Sequence, residues 1–312
     1  MTFYAEAPDD TVAAHFGDPF AEQKALLGGE AVVERGNRGV VRVSGPDRLS
    51  WLHSLLSQHL TALPPYEATE ALLLSPNGHV EHHLALVDDG ESVWAHVEPG
   101  TAPDLVAFLD RMRFMLRVEV ADVTADFKVV TGAAEGTLEL PDVAGRSFIV
   151  PRTAVFPDAR PAGIWAYEAL RIAAHRPRFG LDTDHRTIPH EMGWIEQAVH
   201  LNKGCYRGQE TVARVHNLGR PPRRLVFLHL DGSADRLPAH GSEIVLDGRT
   251  VGFVGSAARH YELGPIALAL VKRNVPVEAT LQAEEVAAAQ EVVVSPDTGA
   301  NVKIDPGLRR RL

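Results

Sequence analysis

Apolar positions change period several times along the chain, and each change marks an element. Valines dominate "GVVRVSG" (39–45), a short run closed by glycine, which predicts a strand. In "DRLSWLHSLLSQHL" (47–60) the residues Trp51, Leu52, Leu55, Leu56 and His59 recur at helical spacing. Ser44 and Asp47 are candidate caps there, with Pro46 near the first turn. "EALLLSPNGHVEHHLALV" (70–87) reads as two strands around the turn Ser75–Pro76–Asn77–Gly78, and "SVWAHV" (92–97) completes a meander. "TAPDLVAFLDRMRFML" (101–116) predicts a helix with Thr101 as N-cap and Asp104 three residues on. "VEVADV" and "FKVV" return to strand, and "GIWAYEALRIAAHRP" (163–177) predicts a helix stopped by Pro177. After Pro221–Pro222 the texture becomes short strands, from "RRLVFLHL" to "EVVV", separated by Gly, Pro and Asp clusters. That is the pattern of a small β-barrel.

The expected fold class is therefore α+β, with helices on one face of antiparallel sheets. The expected organisation is an N-terminal arm at 1–35, an α+β region at 36–220 in two lobes that can interleave, and a C-terminal barrel at 221–312.

Composition narrows the function classes without naming one. Hydrophobic residues make up 45% of the 312 and charged residues 23%, which suits a soluble chain with a substantial core. "MTFYAEAPDD" lacks the basic start and apolar run of a signal peptide, and no apolar stretch approaches a membrane span. With one cysteine there is no internal disulfide framework, so a reducing, cytoplasmic setting is expected. The net charge of −10 argues against direct nucleic-acid binding, and Arg309–Arg310–Arg311 reads as a solvated tail.

That single cysteine sits in "NKGCYRGQE" (202–210). The stretch "GQETVARVHNLG" reads as a short helix beginning near Gly208 and stopping at Gly219, which puts Cys205 just upstream of a helix N-terminus. Alternation in an extended loop places Lys203, Cys205 and Arg207 on one face. Two cations and a helix N-terminus favour thiolate over thiol, the state that attacks electrophiles and binds metals. The alternative is a buried cysteine whose basic neighbours face water. A protease-type nucleophile needs a histidine base, and with 15 histidines in the chain that signal is weak. A cluster normally takes four cysteine ligands, so Cys205 alone can only share one with a partner or small thiols.

"KGCYRGQE" resembles the signature K-G-C-Y-x-G-Q-E of the folate-binding YgfZ family, relatives of the glycine-cleavage aminomethyltransferases. The resemblance continues through "TVAR", "DGRTVGFVGSAAR" and "LGPIALALVKR", and upstream through "GPDRLSWLHSLLSQHL" and "LLLSPNGHV". It implies a three-lobed cloverleaf of two α+β (ferredoxin-like) lobes and a C-terminal barrel around a central folate-sized cavity. It implies tetrahydrofolate as cofactor, an iron–sulfur cluster held only transiently, and iron–sulfur client proteins, including tRNA-modifying enzymes, as partners. The implied role is assembly, maintenance or repair of those clients. On that analogy Cys205 and Lys203 carry the chemistry, with Gly204, Tyr206, Arg207, Gly208, Gln209 and Glu210 as motif residues.

Two departures separate this chain from the aminomethyltransferases. Where they carry paired aspartates after the hairpin glycine, this sequence reads "HVEHH". Where they carry Leu-Arg-Leu-Glu-Ala-Gly, it reads Leu170–Arg171–Ile172–Ala173–Ala174–His175, without the pterin-binding glutamate. The alternative function is a folate-dependent one-carbon (aminomethyl) transferase.

Other positions are candidates for the cofactor. Trp194 can stack on a pterin and Glu191 can bond its ring nitrogens, or both can be structural. Arg214 can pair with a folate carboxylate or with Glu210 one turn away. Arg223 and Arg224 point to opposite faces of a barrel strand, one of them, Arg223 for preference, toward the folate tail and the other toward water. His79, Glu81 and His83 alternate on one strand with the spacing of a 2-His-1-carboxylate site, but a solvated or cavity-side strand face explains them, and no metal is assigned.

Overall fold

The computed structural model describes residues 3–299, and the arginine tail at 309–311 lies outside the described residues. The chain opens with a hairpin of β1 (Phe3–Tyr4) and β2 (Ala13–His15), then helix α1 (Pro19–Leu27) and strand β3 (Ala31–Arg35). Asp18 caps α1 by accepting from the Phe20 and Ala21 amides, with Pro19 at the first helical position. Residues 3–35 of the arm expected at 1–35 are instead built into the body. Leu26, Ala31 and Val33 are buried together with Ala162, Ile164 and Leu170. The Asp and Gly residues that suggested an arm serve as cap and turns.

The next elements are β4 (Gly39–Ser44), α2 (Arg48–Leu55), β5 (Ala68–Leu74), β6 (Val80–Asp88), β7 (Ser92–Val97), α3 (Ala102–Met112) and β8 (Glu119–Asp122). Their strands form one antiparallel sheet in the order β5-β6-β7-β4-β8. α2 and α3 cover one face, packing Trp51, Leu52, Leu105 and Leu109 on Val41, Val43, Leu84 and Leu86. Both helices are shorter than their periodicity predicts. Leu56 turns extended and ends α2, leaving His59 outside, while α3 stops at Met112, leaving Phe114, Met115 and Leu116 beyond its end. Neither expected cap bonds its helix: Asp47 accepts from Arg117, and the Thr101 hydroxyl donates to the Glu98 carbonyl.

β9 (Phe127–Gly132), β10 (Leu138–Pro141), β11 (Arg146–Pro151) and β12 (Arg160–Ala162) join β3 in a second sheet, ordered β10-β11-β9-β3-β12, with only β12 parallel to its neighbour. β3 precedes the first sheet and β9 follows it, so the two sheets are interleaved in sequence. Helix α4 (Ile164–Ala173), a 3-10 turn at Pro189–Met192 and helix α5 (Gln209–Leu218) lead to the barrel.

The barrel strands are β13 (Arg223–Leu230), β14 (Glu243–Leu246), β15 (Arg249–His260), β16 (Gly264–Lys272), β17 (Leu281–Ala283) and β18 (Val286–Val292), closed in the order β13-β16-β15-β14-β17-β18. The α+β class with a C-terminal barrel is as expected, although three-residue β17 carries no legible strand pattern.

Strand alternation on β13 joins the barrel to the rest. Val226, Leu228 and Leu230 fill the barrel interior with Ile244, Val254 and Leu281. Leu225 and Phe227 face outward into a cluster with Leu72 and Leu74 of β5, Ile172 of α4, Trp194, and Val212 of α5. Because that cluster is shared by both sheets' neighbours and the barrel, Phe227→Ala should cost about 3–5 kcal/mol. Calorimetry should show a single transition moving down; a separately melting barrel would contradict the shared core.

Candidate functional site

The loop between residue 199 and α5 holds Cys205 outward while pinning everything around it. Cys205 is an exposed free thiol, and Gly204 beside it is exposed as well. On one side, the Lys203 ammonium donates to the backbone carbonyls of His53 and Leu56, and to that of Gln58 at 3.1 Å. Those carbonyls lie at and just past the end of α2, where a helix leaves acceptors without intrahelical partners and a cation is favoured. Burial pushes the Lys203 pKa down to about 8.

On the other side, Tyr206 is buried, with the Lys203 ammonium 4.9 Å from its ring centroid. Burial raises the Tyr206 phenol to about 12. Its amide donates to the Gln209 side-chain oxygen at 3.3 Å. Arg207 donates to Glu81 at 2.6 Å and lies 5.1 Å over the Phe108 ring of α3.

Gly208 caps α5 in the left-handed region at φ +81, where a Cβ would meet the Ser75 carbonyl at 2.6 Å. Opposite it, a Cβ on Gly78 would meet Thr211 at 2.8 Å. These two glycines let α5 sit directly on the β5–β6 turn. Gly219 ends α5 in an extended conformation, not the left-handed one expected of a C-terminal glycine.

This geometry corrects the electrostatic expectation for the loop. Lys203 spends its protons on three carbonyls and Arg207 is paired with Glu81, so both act on the loop's position. Glu210 is exposed in the first turn of α5. Beside Lys203 the structure also gathers His53, His59 and His200, with ring centroids 4.8 and 5.3 Å apart. Burial, then Lys203, lowers the His53 pKa. His200 is far in sequence from the other two, and no spacing announces the set.

A second candidate site lies between the two sheets and α4. Its walls are charged: Arg35, Arg38, Arg176 and Arg178 face Asp9, Glu70, Glu98 and Asp142, with His83, His96 and Tyr167. Arg178 bonds Asp9 at 2.8 Å, Glu98 at 2.8 Å and Glu168 at 2.9 Å. Arg38 shares Glu98 at 2.5 Å, Arg35 bonds Asp142 at 2.8 Å, and Arg176 bonds Glu70. Burial alone would raise the Glu98 and Glu168 carboxyls, but Arg178 with Arg38 and with Arg171 holds each down to about 2. Glu70 is held to about 2 against its burial by His83, whose Nε2 lies 2.7 Å away, and by Arg176.

The expected cofactor can be tested against these walls. Arg35 Nε and Asn37 Oδ1 are buried with no hydrogen-bond partner among the described residues, and both residues line the cavity. A donor and an acceptor left open beside carboxylates and guanidiniums suit a polar heterocycle with a carboxylate tail. The room does not yet suit it: the cavity is about 70 Å³, against ~300–1,000 Å³ for pockets that enclose drug-sized ligands. The cavity is thus not folate-sized as it stands, because the ion pairs draw its walls together.

The residues nominated for the cofactor from sequence do not line this cavity. Glu191 is fully buried, accepts from the Ile188 amide at 3.1 Å and pairs with Arg223 at 2.8 Å. Arg223 also holds Asp184 at 2.6 Å. Trp194 is buried against His83, ring centroids 4.8 Å apart, so it backs a wall residue. Arg214 is exposed on α5. Arg224, the arginine expected to face water, is sealed inside the barrel, bonded to the Val275 carbonyl and to Gln290. The His79–Glu81–His83 set is divided, Glu81 going to Arg207 and His83 to Glu70. Among the described residues no three His, Cys, Asp or Glu side chains are arranged to hold a metal ion. No helix among them is long and apolar enough to cross a membrane.

Comparison with known proteins agrees with this architecture. Residues 223–304 match the family described as the glycine cleavage T-protein C-terminal barrel domain. Over 314 aligned residues the chain is 24% identical to a putative chloroplastic transferase of Arabidopsis thaliana, covering 83% of this chain and 70% of that protein. It is 28% identical over 225 residues to a mitochondrial homolog of the iron–sulfur cluster assembly factor IBA57 from Mycosarcoma maydis, covering 62% of this chain and 55% of that one. An aminomethyltransferase of Thermotoga maritima is 36% identical over 121 residues, covering 38% of this chain and 32% of the relative. The crystal structure of the glycine cleavage aminomethyltransferase T from Bartonella henselae superposes with a TM-score of 0.76 at 15% identity, covering 96% of this chain and 94% of that one. The chain is thus similar in sequence and fold to the glycine-cleavage T-protein aminomethyltransferases, and over longer stretches to a putative transferase and an iron–sulfur cluster assembly factor.

The three depressed carboxylates set a pH dependence. Each has a folded pKa below its ordinary value of 4.5, so its stabilising contribution is present above that value and is lost as pH falls toward about 2. Denaturation midpoints should fall gently below about pH 6.5, where buried His96 and His190 resist protonation, and drop more steeply below about pH 4.5. In Arg178→Met that acid slope should be much shallower; an unchanged slope would remove the network as its cause.

Proposed function

We propose that this protein is an accessory factor for iron–sulfur proteins, supporting assembly, maintenance or repair of their clusters through Cys205, with tRNA-modifying enzymes among its clients. One observation carries the reading: the chain's only cysteine is exposed on a loop whose neighbours are all anchored. The iron–sulfur assembly factor among the relatives points the same way.

Cys205 supplies one thiolate to a cluster in transit, and the remaining ligands come from the client or from small thiols. Iron binding displaces the thiol proton to solvent, which an exposed position permits. Lys203, Tyr206, Arg207 and Gly208 keep the sulfur at one place on the surface, so little loop entropy is lost when a client arrives.

Tetrahydrofolate belongs to the reading by resemblance, with the cavity between the sheets as its place. Arg35 and Asn37 would meet the ring with their open donor and acceptor, and Arg38, Arg176 or Arg178 would take its carboxylates. Entry requires Arg178, Arg38 and Glu98 to exchange partners first. A one-carbon transferase is the second reading, favoured by the His83–Glu70 pair on the cavity wall, which is built as an acid–base couple.

Deleting the gene in its host should lower iron–sulfur enzyme activities, with rescue by wild type and not by Cys205→Ser at equal protein level. Full rescue by Cys205→Ser would move the assignment to the transferase. Millimolar tetrahydrofolate should raise the melting temperature by mass action, and an unmoved midpoint would take folate out of the reading.

A further inference from the structure

The spacing of 101–116 predicts one helix, but its last residues, within "RMRFMLR" (111–117), do not join it. Helix α3 ends at Met112, and Phe114, Met115 and Leu116 are 80%, 97% and 43% exposed. Scattered exposed apolar residues are ordinary, but three in succession are not.

The backbone adds a second, independent cost. Phe114 occupies the position after the Arg113 cap with φ +49, in the left-handed region. That position is usually glycine, and a bulky residue there is strained. Glycine would relieve the strain and remove the exposed ring together, so neither the backbone nor the core of the isolated chain explains phenylalanine. The base of the loop is held firmly: the Trp51 indole donates to the Met112 carbonyl at 3.2 Å, and the Leu116 amide donates to the Arg113 carbonyl at 3.0 Å. The apolar tip is thus presented, not frayed.

We propose that Phe114 and Met115 form the anchor of a docking surface for a folded protein partner with an apolar pocket rimmed by carboxylates. Its charge argues for that chemistry. Three arginines fall within these seven residues of a chain whose net charge is −10. Among the described residues Arg113 pairs with Asp110 in an exposed ion pair, which exchanges readily, whereas Arg117 holds Asp47 through its guanidinium and its amide. Met and aromatic side chains are the ones enriched at such anchors.

Position relates the surface to Cys205. Arg207 of the cysteine loop lies over Phe108 of α3, the helix beyond whose end Phe114 stands. Lys203 bonds the end of α2, the helix whose Trp51 holds Met112. The apolar loop and the cysteine loop are thus anchored on the same two helices, α2 and α3. The inference rests on the accessory-factor reading and names that partner as the client.

The test uses the deletion host, complemented with Phe114→Gly/Met115→Gln, with Arg111→Glu/Arg113→Glu, and with Cys205→Ser. Both loop variants should lower client-enzyme activity about tenfold or more, as loss of a hot spot does. The melting temperature of Phe114→Gly/Met115→Gln should be unchanged or higher and that of Arg111→Glu/Arg113→Glu slightly lower, and both should keep the wild-type Cys205 alkylation rate. Full rescue by the loop variants while Cys205→Ser fails would overturn the docking surface and leave the cysteine reading intact. Rescue by Cys205→Ser with failure of the loop variants would do the reverse. Co-sedimentation of purified wild type with phosphatidylglycerol vesicles, abolished in Phe114→Gly/Met115→Gln, would assign the loop to a lipid surface and overturn the protein partner.

Discussion

One buried guanidinium organises the molecule. Arg178 bonds Asp9 from the N-terminal segment, Glu98 from the end of β7 and Glu168 from α4. Those three carboxylates come from three separate parts of the chain, of which the N-terminal segment and α4 also share an apolar cluster. Removing a single partner from such a buried arrangement costs about 3–5 kcal/mol, because the charges left behind have no solvent. A chain of apolar contacts could join the same elements, but it would not fix which face of β7 meets which turn of α4. The ion pairs do, since each arginine N–H direction accepts only one placement of its carboxylate.

The same network makes the cavity and closes it. Arg35 and Arg176 each bring a further acid to the wall and Arg38 shares Glu98, and a balanced set of charges contracts around whatever space is left. Overall likeness to an aminomethyltransferase fold therefore coexists with a cavity too tight for a large ligand until partners are exchanged. The open Arg35 Nε and Asn37 Oδ1 are the exception, two polar atoms that the network leaves unsatisfied.

The cysteine loop is held by a different logic. No apolar cluster surrounds Cys205; instead a lysine ties the loop to the end of α2, an arginine ties it to β6, and paired glycines let α5 approach the β5–β6 turn. Such polar and steric anchors position a residue without burying it. The loop after α3 follows the same principle, with a bonded base and a free apolar tip on the neighbouring helix.

Period and punctuation were enough to read the elements. Alternating valines marked β4, the Ser75–Gly78 turn marked the β5–β6 hairpin, and short strands between Gly and Pro clusters marked the barrel, because these signals act over a few residues. The motif around Cys205 was legible for the same reason. Helix ends were not: Leu56 and Arg113 end α2 and α3 because of tertiary anchors at Lys203 and Trp51, which sequence spacing does not encode. Nor was the cavity, whose arginines stand at 35, 38, 176 and 178 and meet acids from 9 to 168. The cofactor residues proposed from proximity to the motif, Glu191, Trp194, Arg214 and Arg223, lay elsewhere. A charge's partner is chosen by distance in space, and only the folded chain sets that distance. The sequence by itself determined the elements, the barrel and the place of the single cysteine in its motif; the tertiary structure decided which charges cancel and which apolar residues stay in water.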